Sequence, residues 1–188
     1  MGKIVITEFV SLDGVMEDPG GAEDFKYGGW TFAIDRGADG DKFKGDEGDA
    51  AEALLLGRKT YEGFAAAWPS MQGDYADKFN AMPKYVVSST LTDPQWTNST
   101  VLGGDLVAEV SELRDSLGGD IVVHGSGQLA QALIEHDLAD ELRLMVFPVL
   151  LGSGKRLFAT TSDKKSLRLT DSKTVGDGIA VLTYTRSA

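Results

Sequence analysis

Ala53-Leu54-Leu55-Leu56-Gly57-Arg58-Lys59-Thr60-Tyr61 is the stretch on which the fold turns. Its first half is a short, uninterrupted apolar run, the pattern of a strand buried on both faces of a sheet. Gly57 ends the run. From Arg58 onward Tyr61, Phe64, Ala65 and Trp68 fall at helical spacing, and Pro69 closes the pattern. A buried strand passing straight into an amphipathic helix is the repeating piece of an α/β fold. The junction also carries chemistry. A helix N-terminus presents unpaired N–H groups and a partial positive charge, so Arg58 and Lys59 have the wrong sign for that helix end unless an anion sits there. Phosphate is one reading of this junction, and a solvated first turn partly capped by Thr60 is the other.

The same alternation extends downstream. Lys84 to Ser89 and Thr100 to Leu102 read as strands, and Leu106, Val110, Leu113 and Leu117 mark a helix stopped by Gly118-Gly119. Asp120 to His124 is a further strand, leading through Gly125-Ser126-Gly127 into a helix from Gln128 to about His136. The remainder is β-rich: 141–149, 166–175 and 179–185, with Gly176-Asp177-Gly178 as the turn of a closing antiparallel hairpin. Upstream, residues 3–10 form a strand ending at the turn Ser11-Leu12-Asp13-Gly14. A long Gly- and acid-rich excursion over 17–50 follows, ending in a helix near Asp41 to Ala51. Loops of that length in compact domains are usually functional. With no repeat and no linker, residues 1–188 read as one α/β domain on a mixed sheet.

Composition narrows the function. The 188 residues carry a formal charge of −11, no cysteine and two histidines, His124 and His136. Zero cysteine excludes a disulfide scaffold, a thiolate zinc site, an iron–sulfur cluster and a cysteine nucleophile. The acidic balance argues against nucleic acid, whose backbone it repels. Leu144 to Leu151, the longest uncharged apolar run, is far short of the ~20 residues a bilayer needs, and Pro148 interrupts it. The N-terminal residues do not read as a signal peptide, so a soluble cytoplasmic protein is expected.

Further candidate sites follow from position. Gly125-Ser126-Gly127-Gln128-Leu129-Ala130 formally matches G-x-G-x-x-A between strand and helix, but the acid expected ~20 residues later in a dinucleotide fold comes too early, at Asp140 and Glu141. Close approach of a pyrophosphate to the glycine turn remains a reading of it. Gly152-Ser153-Gly154-Lys155-Arg156 lacks the spacing of a Walker loop. No Gly-x-Ser-x-Gly elbow occurs. Asp13 is either a turn former or a pocket residue. His124 ends the strand feeding the glycine turn and is either a structural histidine or a substrate contact. Trp30 and Phe32 either wall a substrate pocket or pack in the core.

Taken in order, Ser11-Leu12-Asp13-Gly14, Gly57-Arg58-Lys59-Thr60-Tyr61, Val87-Ser88-Ser89 and Gly125-Ser126-Gly127 resemble the dihydrofolate reductase fold. With Leu138-Ala139-Asp140-Glu141-Leu142 and Phe147-Pro148-Val149-Leu150-Leu151-Gly152, the chain looks more closely like the stand-alone relatives of the reductase domain of the riboflavin-biosynthesis deaminase–reductase. The resemblance implies a mixed, mainly parallel sheet of about eight strands with helices on both faces. It implies NADPH bound in extended form. Arg58, Lys59 and Thr60 would then lie at the cofactor phosphates and Ser88 and Ser89 near the 2′-phosphate. Gly125, Ser126, Gly127, Gln128 and Leu129 would wrap the pyrophosphate. Three departures stand out. The cysteines of the deaminase half are missing. Tyr61 to Pro69 replaces the Thr-Val-x-x-Asp-Asp-Pro-like stretch of the riboflavin reductase. Gly125-Ser126 replaces a Gly-Gly pair.

The expectation is an NADPH-dependent reductase delivering hydride to a C=N or C=O carbon of a small pterin- or pyrimidine-like substrate. A non-catalytic nucleotide-binding protein and a true dihydrofolate reductase are its rivals. The expected pocket residues are Asp13, ordering the loop over nicotinamide, His124, and an acid from the helix before Gly57, where Glu47 is chosen over Asp41 and Asp46. A homodimer is also expected, because Leu142 to Leu151 carries more apolar surface than one sheet face needs.

Overall fold

The computed structural model describes residues 1–187. Its strands are β1 (Lys3–Ser11), β2 (Ala51–Gly57), β3 (Lys84–Val87), β4 (Ser99–Leu102), β5 (Asp120–His124), β6 (Glu141–Phe147), β7 (Leu167–Val175) and β8 (Ile179–Arg186). Five α-helices accompany them: α1 (Gly37–Ala50), α2 (Arg58–Ala67), α3 (Asp74–Ala81), α4 (Leu106–Ser116) and α5 (Gly127–Glu135). The strands form one eight-stranded sheet in the order β4-β3-β2-β5-β1-β6-β8-β7. The first six in that order run parallel, and β8 and β7 add antiparallel. The C-terminal ends of β1, β2 and β5 therefore share one edge, where such sheets take ligands.

Strands flanked on both sides and covered on both faces need apolar residues at every position. Leu54, Leu55 and Leu56 of β2 and Ile4, Val5 and Ile6 of β1 are accordingly all fully buried. Residues alternate between faces along each strand. One face carries Ile4, Ile6, Leu55, Ile121 and Val123 against Val110 and Leu113 of α4 and Leu129, Ala130 and Leu133 of α5. The other carries Val5, Leu54, Leu56 and Val122 against Tyr61 of α2, Phe79 of α3 and Trp96. It continues through Met145 and Phe147 to Trp30, Ile179 and Val181.

Several boundaries differ from expectation for physical reasons. The helix expected near Asp41 begins at Gly37, and β2 starts at Ala51 rather than Ala53. Gly40, Gly45 and Gly48 lower the intrinsic helicity of α1, which tertiary packing restores. A Cβ on Gly48 would stand 2.6 Å from the Tyr75 ring of α3, so the glycine permits that close approach. Helix α3 itself has no counterpart in the sequence reading, being only eight residues long. Trp68 and Pro69 form a separate 3₁₀ turn after α2. Strand β6 ends at Phe147 rather than 149, and it is interior, between β1 and β8. Its apolar surplus covers both faces of this sheet, with Leu142 and Leu144 on one side and Met145 and Phe147 on the other. The argument for a dimer through β6 is thereby removed. Among the described residues no helix is long and apolar enough to cross a membrane.

Candidate active site

Two strand-to-helix junctions meet at the sheet edge and are hydrogen-bonded to each other. The Gly57 N–H donates to Ser126 Oγ at 2.9 Å, and the Ser126 N–H donates to Thr60 Oγ1 at 2.8 Å. Ser126 Oγ in turn donates to the His124 carbonyl at 3.1 Å. Gly125 and Ser126 both sit in the left-handed region, at φ 57° and 55°. A Cβ on Gly125 would lie 3.2 Å from the Thr60 side chain, which favours glycine there.

This cross-link ties several of the expected cofactor residues to one another. Gly57, Thr60, Gly125 and Ser126 shape the cleft with polar groups already engaged inside the chain, and the Leu129 side chain is buried in the core. The first-turn N–H groups without helical acceptors are those of Arg58, Lys59 and Thr60 on α2 and of Gly127, Gln128 and Leu129 on α5. Arg58 donates through Nη1 to Thr90 Oγ1 at 2.6 Å and through Nε to Glu62 at 2.7 Å, so it reaches the segment after β3. Ser88 Oγ there accepts from the N–H groups of Thr90 and Leu91, which makes it a turn former, while Ser89 is exposed. Lys59 is largely exposed and lies 3.8 Å from Glu23.

A polar cluster lies on the α1 side of the sheet. In register, Thr7 of β1 stands between His124 of β5 and Arg143 of β6. Helix α1 sets Glu47 and Lys44 over this row. Thr7 Oγ1 donates to Glu47 Oε2 at 3.1 Å and accepts from Lys44 Nζ at 3.0 Å, and Lys44 and Glu47 form a short ion pair. Arg143 is held by Glu141 at 2.6 Å and Asp120 at 3.0 Å. Of the three acids considered on α1, Asp41 pairs with Arg36 and Asp46 with Lys42 in solvent. Only Glu47 turns inward. Burial pushes the His124 imidazole well below its usual pKa, and the Lys44 charge adds to this, so the ring is neutral at pH 7.

Asp13 does not have the properties of a proton donor. Its carboxylate accepts from Ser11 Oγ at 2.6 Å, from the Gly152 N–H at 2.8 Å and from the Leu151 N–H at 3.1 Å, and these bonds lower its pKa to about 2. It fastens the loop after β1 to the loop after β6. Trp30 is core rather than pocket wall: it packs edge-to-face on Phe147 at 5.4 Å and donates its indole N–H to the Glu17 carbonyl at 2.8 Å. Phe32 is 79% exposed and walls nothing.

Sequence reasoning missed Lys44, Thr7, Thr90 and Glu8. Lys44 was findable, since it lies one helical turn before Glu47. Glu8 was also findable, as an acid in strand register with Ile4, Ile6 and Val10. It is 6% exposed, and burial raises its pKa well above the usual carboxyl range. Two depressions of about 360 Å³ and 540 Å³ lie elsewhere, one beside Trp96 and one beside Tyr184, and neither includes His124 or Ser126.

Known proteins share this fold. A putative riboflavin biosynthesis protein from Shewanella sp. PV-4 superposes with a TM-score of 0.80, at 23% identity over 99% of both chains. Dihydrofolate reductase from Enterococcus faecalis, complexed with NADP(H) and RAB-propyl, superposes with a TM-score of 0.59 at 15% identity, over 99% of this chain and 97% of that one. The uncharacterized protein YyaP of Bacillus subtilis (strain 168) is 26% identical over 187 residues, 97% of this chain and 94% of its own. Residues 2–181 match the RibD C-terminal domain, and the chain, with its dihydrofolate reductase-like fold, belongs to that family.

Proposed function

We propose that the chain is an NADPH-dependent reductase of a small oxo-heterocycle of pyrimidine or pterin type. The observation that carries this reading is the pair of helix N-termini, α2 and α5, locked side by side at one sheet edge through Gly57, Thr60 and Ser126. Two adjacent sets of outward N–H groups suit the two ends of a dinucleotide's phosphate chain. Arg58, drawn toward Thr90, adds a guanidinium where a 2′-phosphate would need one. The donor set fits the cofactor. NADP(H) in the Enterococcus protein and the name of the Shewanella protein support the same reading.

The chemistry such a cofactor supplies is hydride transfer to a C=N or C=O carbon. The chain's own residues hold the substrate and its proton. Lys44 Nζ and a ring nitrogen of neutral His124, on the same face of the sheet, offer hydrogen bonds to a heterocycle edge. Glu47 fixes Lys44 through their ion pair. That pairing weighs against a true dihydrofolate reductase, whose pocket acid must be free to pair with the pteridine.

The test is a fluorescence titration with NADPH and NADH, followed by NADPH oxidation with pyrimidines, pterins, dihydrofolate and small carbonyls. Tight NADPH binding with turnover of an oxo-heterocycle is expected. Binding without turnover of any of these would leave a nucleotide-binding protein and overturn the enzymatic reading.

A further inference from the structure

We propose that Glu8 is a positioning residue of the dinucleotide site, holding the Gly125–Ser126 turn in its left-handed form from beneath the sheet edge. The inference rests on the cofactor reading above and deepens it.

Glu8 stands two residues from Ile6 and two from Val10 and so shares their face of β1, the side covered by α4 and α5. The register places Thr7 beside His124, which brings Glu8 under the next residue, Gly125. Glu8 Oε2 accepts the Gly125 N–H at 3.1 Å. The two amides of the turn are thus pinned from two directions, Gly125 by Glu8 and Ser126 by Thr60. With both turned inward, the next N–H groups in the chain, those of Gly127 and Gln128, begin α5 with no helical acceptor. Without an acceptor at residue 8, the Gly125 N–H loses its partner in a site where water is largely excluded, and the turn has reason to rearrange.

The site favours the carboxyl in its neutral form. Among the described residues no Lys, Arg or His makes a salt bridge with Glu8, and its Oε1 is buried without a partner. Burial raises its pKa, an effect that the Lys44 charge and the Gly125 N–H only partly offset and that Glu47 reinforces. A neutral group also suits the position, because an ionised carboxylate there would repel a pyrophosphate at the start of α5.

The test compares wild type, Glu8→Gln and Glu8→Met by NADPH and NADH titration and by amide hydrogen exchange at Gly125 in the protein without cofactor. Glu8→Gln keeps a neutral acceptor, so its affinities should stay within about threefold of wild type and the Gly125 amide should remain protected. Glu8→Met keeps the volume and removes the acceptor. It should weaken NADPH and NADH alike by about tenfold or more and release the Gly125 amide. If Glu8→Met fails to fold, Glu8→Asp, which withdraws the carboxyl by one methylene, should show the same loss. Affinities for the acceptor-less variant within threefold of wild type, or an equal loss in Glu8→Gln, would overturn the inference alone. A wild-type chain that binds neither dinucleotide would overturn the cofactor reading and the inference with it.

Discussion

At the scale of single residues, ionisation inside the sheet distinguishes groups that composition treats alike. Glu8 and Asp13 lie five positions apart and are driven in opposite directions, one raised by burial and one lowered to about 2 by hydrogen bonds. A carboxyl with a raised native pKa contributes stability that is fully present below its unfolded value, near 4.5, and is lost as pH rises through the native value. Glu8→Gln cannot ionise. Its melting temperature relative to wild type should therefore climb as pH rises above about 4.5, and a difference that stays constant with pH would rule this out. His124 offers a second test. On the proposed function its replacement by Ala removes a substrate contact and no phosphate contact, so turnover should fall by about tenfold or more while NADPH affinity stays within about threefold. Steady-state kinetics beside a binding titration separates the two. Lys84, fully buried, donates to the carbonyls of Asn80, Met82 and Thr97. Lys84→Met leaves those acceptors without their donor and should cost about 2 kcal/mol, read by calorimetry as a melting temperature roughly 4–8 °C lower.

At the scale of elements, α2 was legible in the sequence from start to stop, and α1 only in part, its first turn being missed. The α2 pattern states its own start, face and stop: Gly57 before it, Tyr61 and Phe64 inward, Pro69 after it. Helix α1 has three interior glycines and little apolar surface beyond Phe43, and its position comes from packing on Tyr75 and from the Lys44–Glu47–Thr7 contacts. Local propensity is a weak guide wherever tertiary contacts of that kind decide. The element that should govern cofactor choice is the α2 N-terminus. Arg58→Ala should weaken NADPH about tenfold more than NADH, because a charge-assisted contact to the 2′-phosphate is lost. Lys59→Ala, at an exposed position facing Glu23, should have the smaller effect. Equal losses for the two dinucleotides in Arg58→Ala would move the 2′-phosphate elsewhere.

For the whole molecule, the eight-stranded sheet leaves β7 as an edge, and eight of its nine residues are exposed. Leu167 and Leu169 on this strand, with Leu150 and Phe158 in the preceding segment, are the large apolar side chains a second copy would cover. A homodimer is the expected state, on these residues rather than on β6. Light scattering at micromolar concentration should return about twice the 20.1 kDa chain mass, and a particle of 20.1 kDa would exclude it.

The sequence by itself determined the alternation of buried strands and amphipathic helices, the two strand-to-helix junctions at Gly57-Arg58 and Gly125-Ser126-Gly127, and the closing hairpin. Each of these is written in a local period or a local helix start, within a few residues of its cause. Only the tertiary structure decided that Gly57, Thr60 and Ser126 lock the junctions to one another, that Asp13 is a loop fastener, and that Trp30 is core. It alone turned Glu47 inward, gave it Lys44 as a partner and set Glu8 under Gly125. Apart from Lys44 and Glu47, one helical turn apart, these pairings join distant parts of the chain. Hydrogen bonds and burial depend on which strands become neighbours, and strand order is fixed by the packing of the whole sheet.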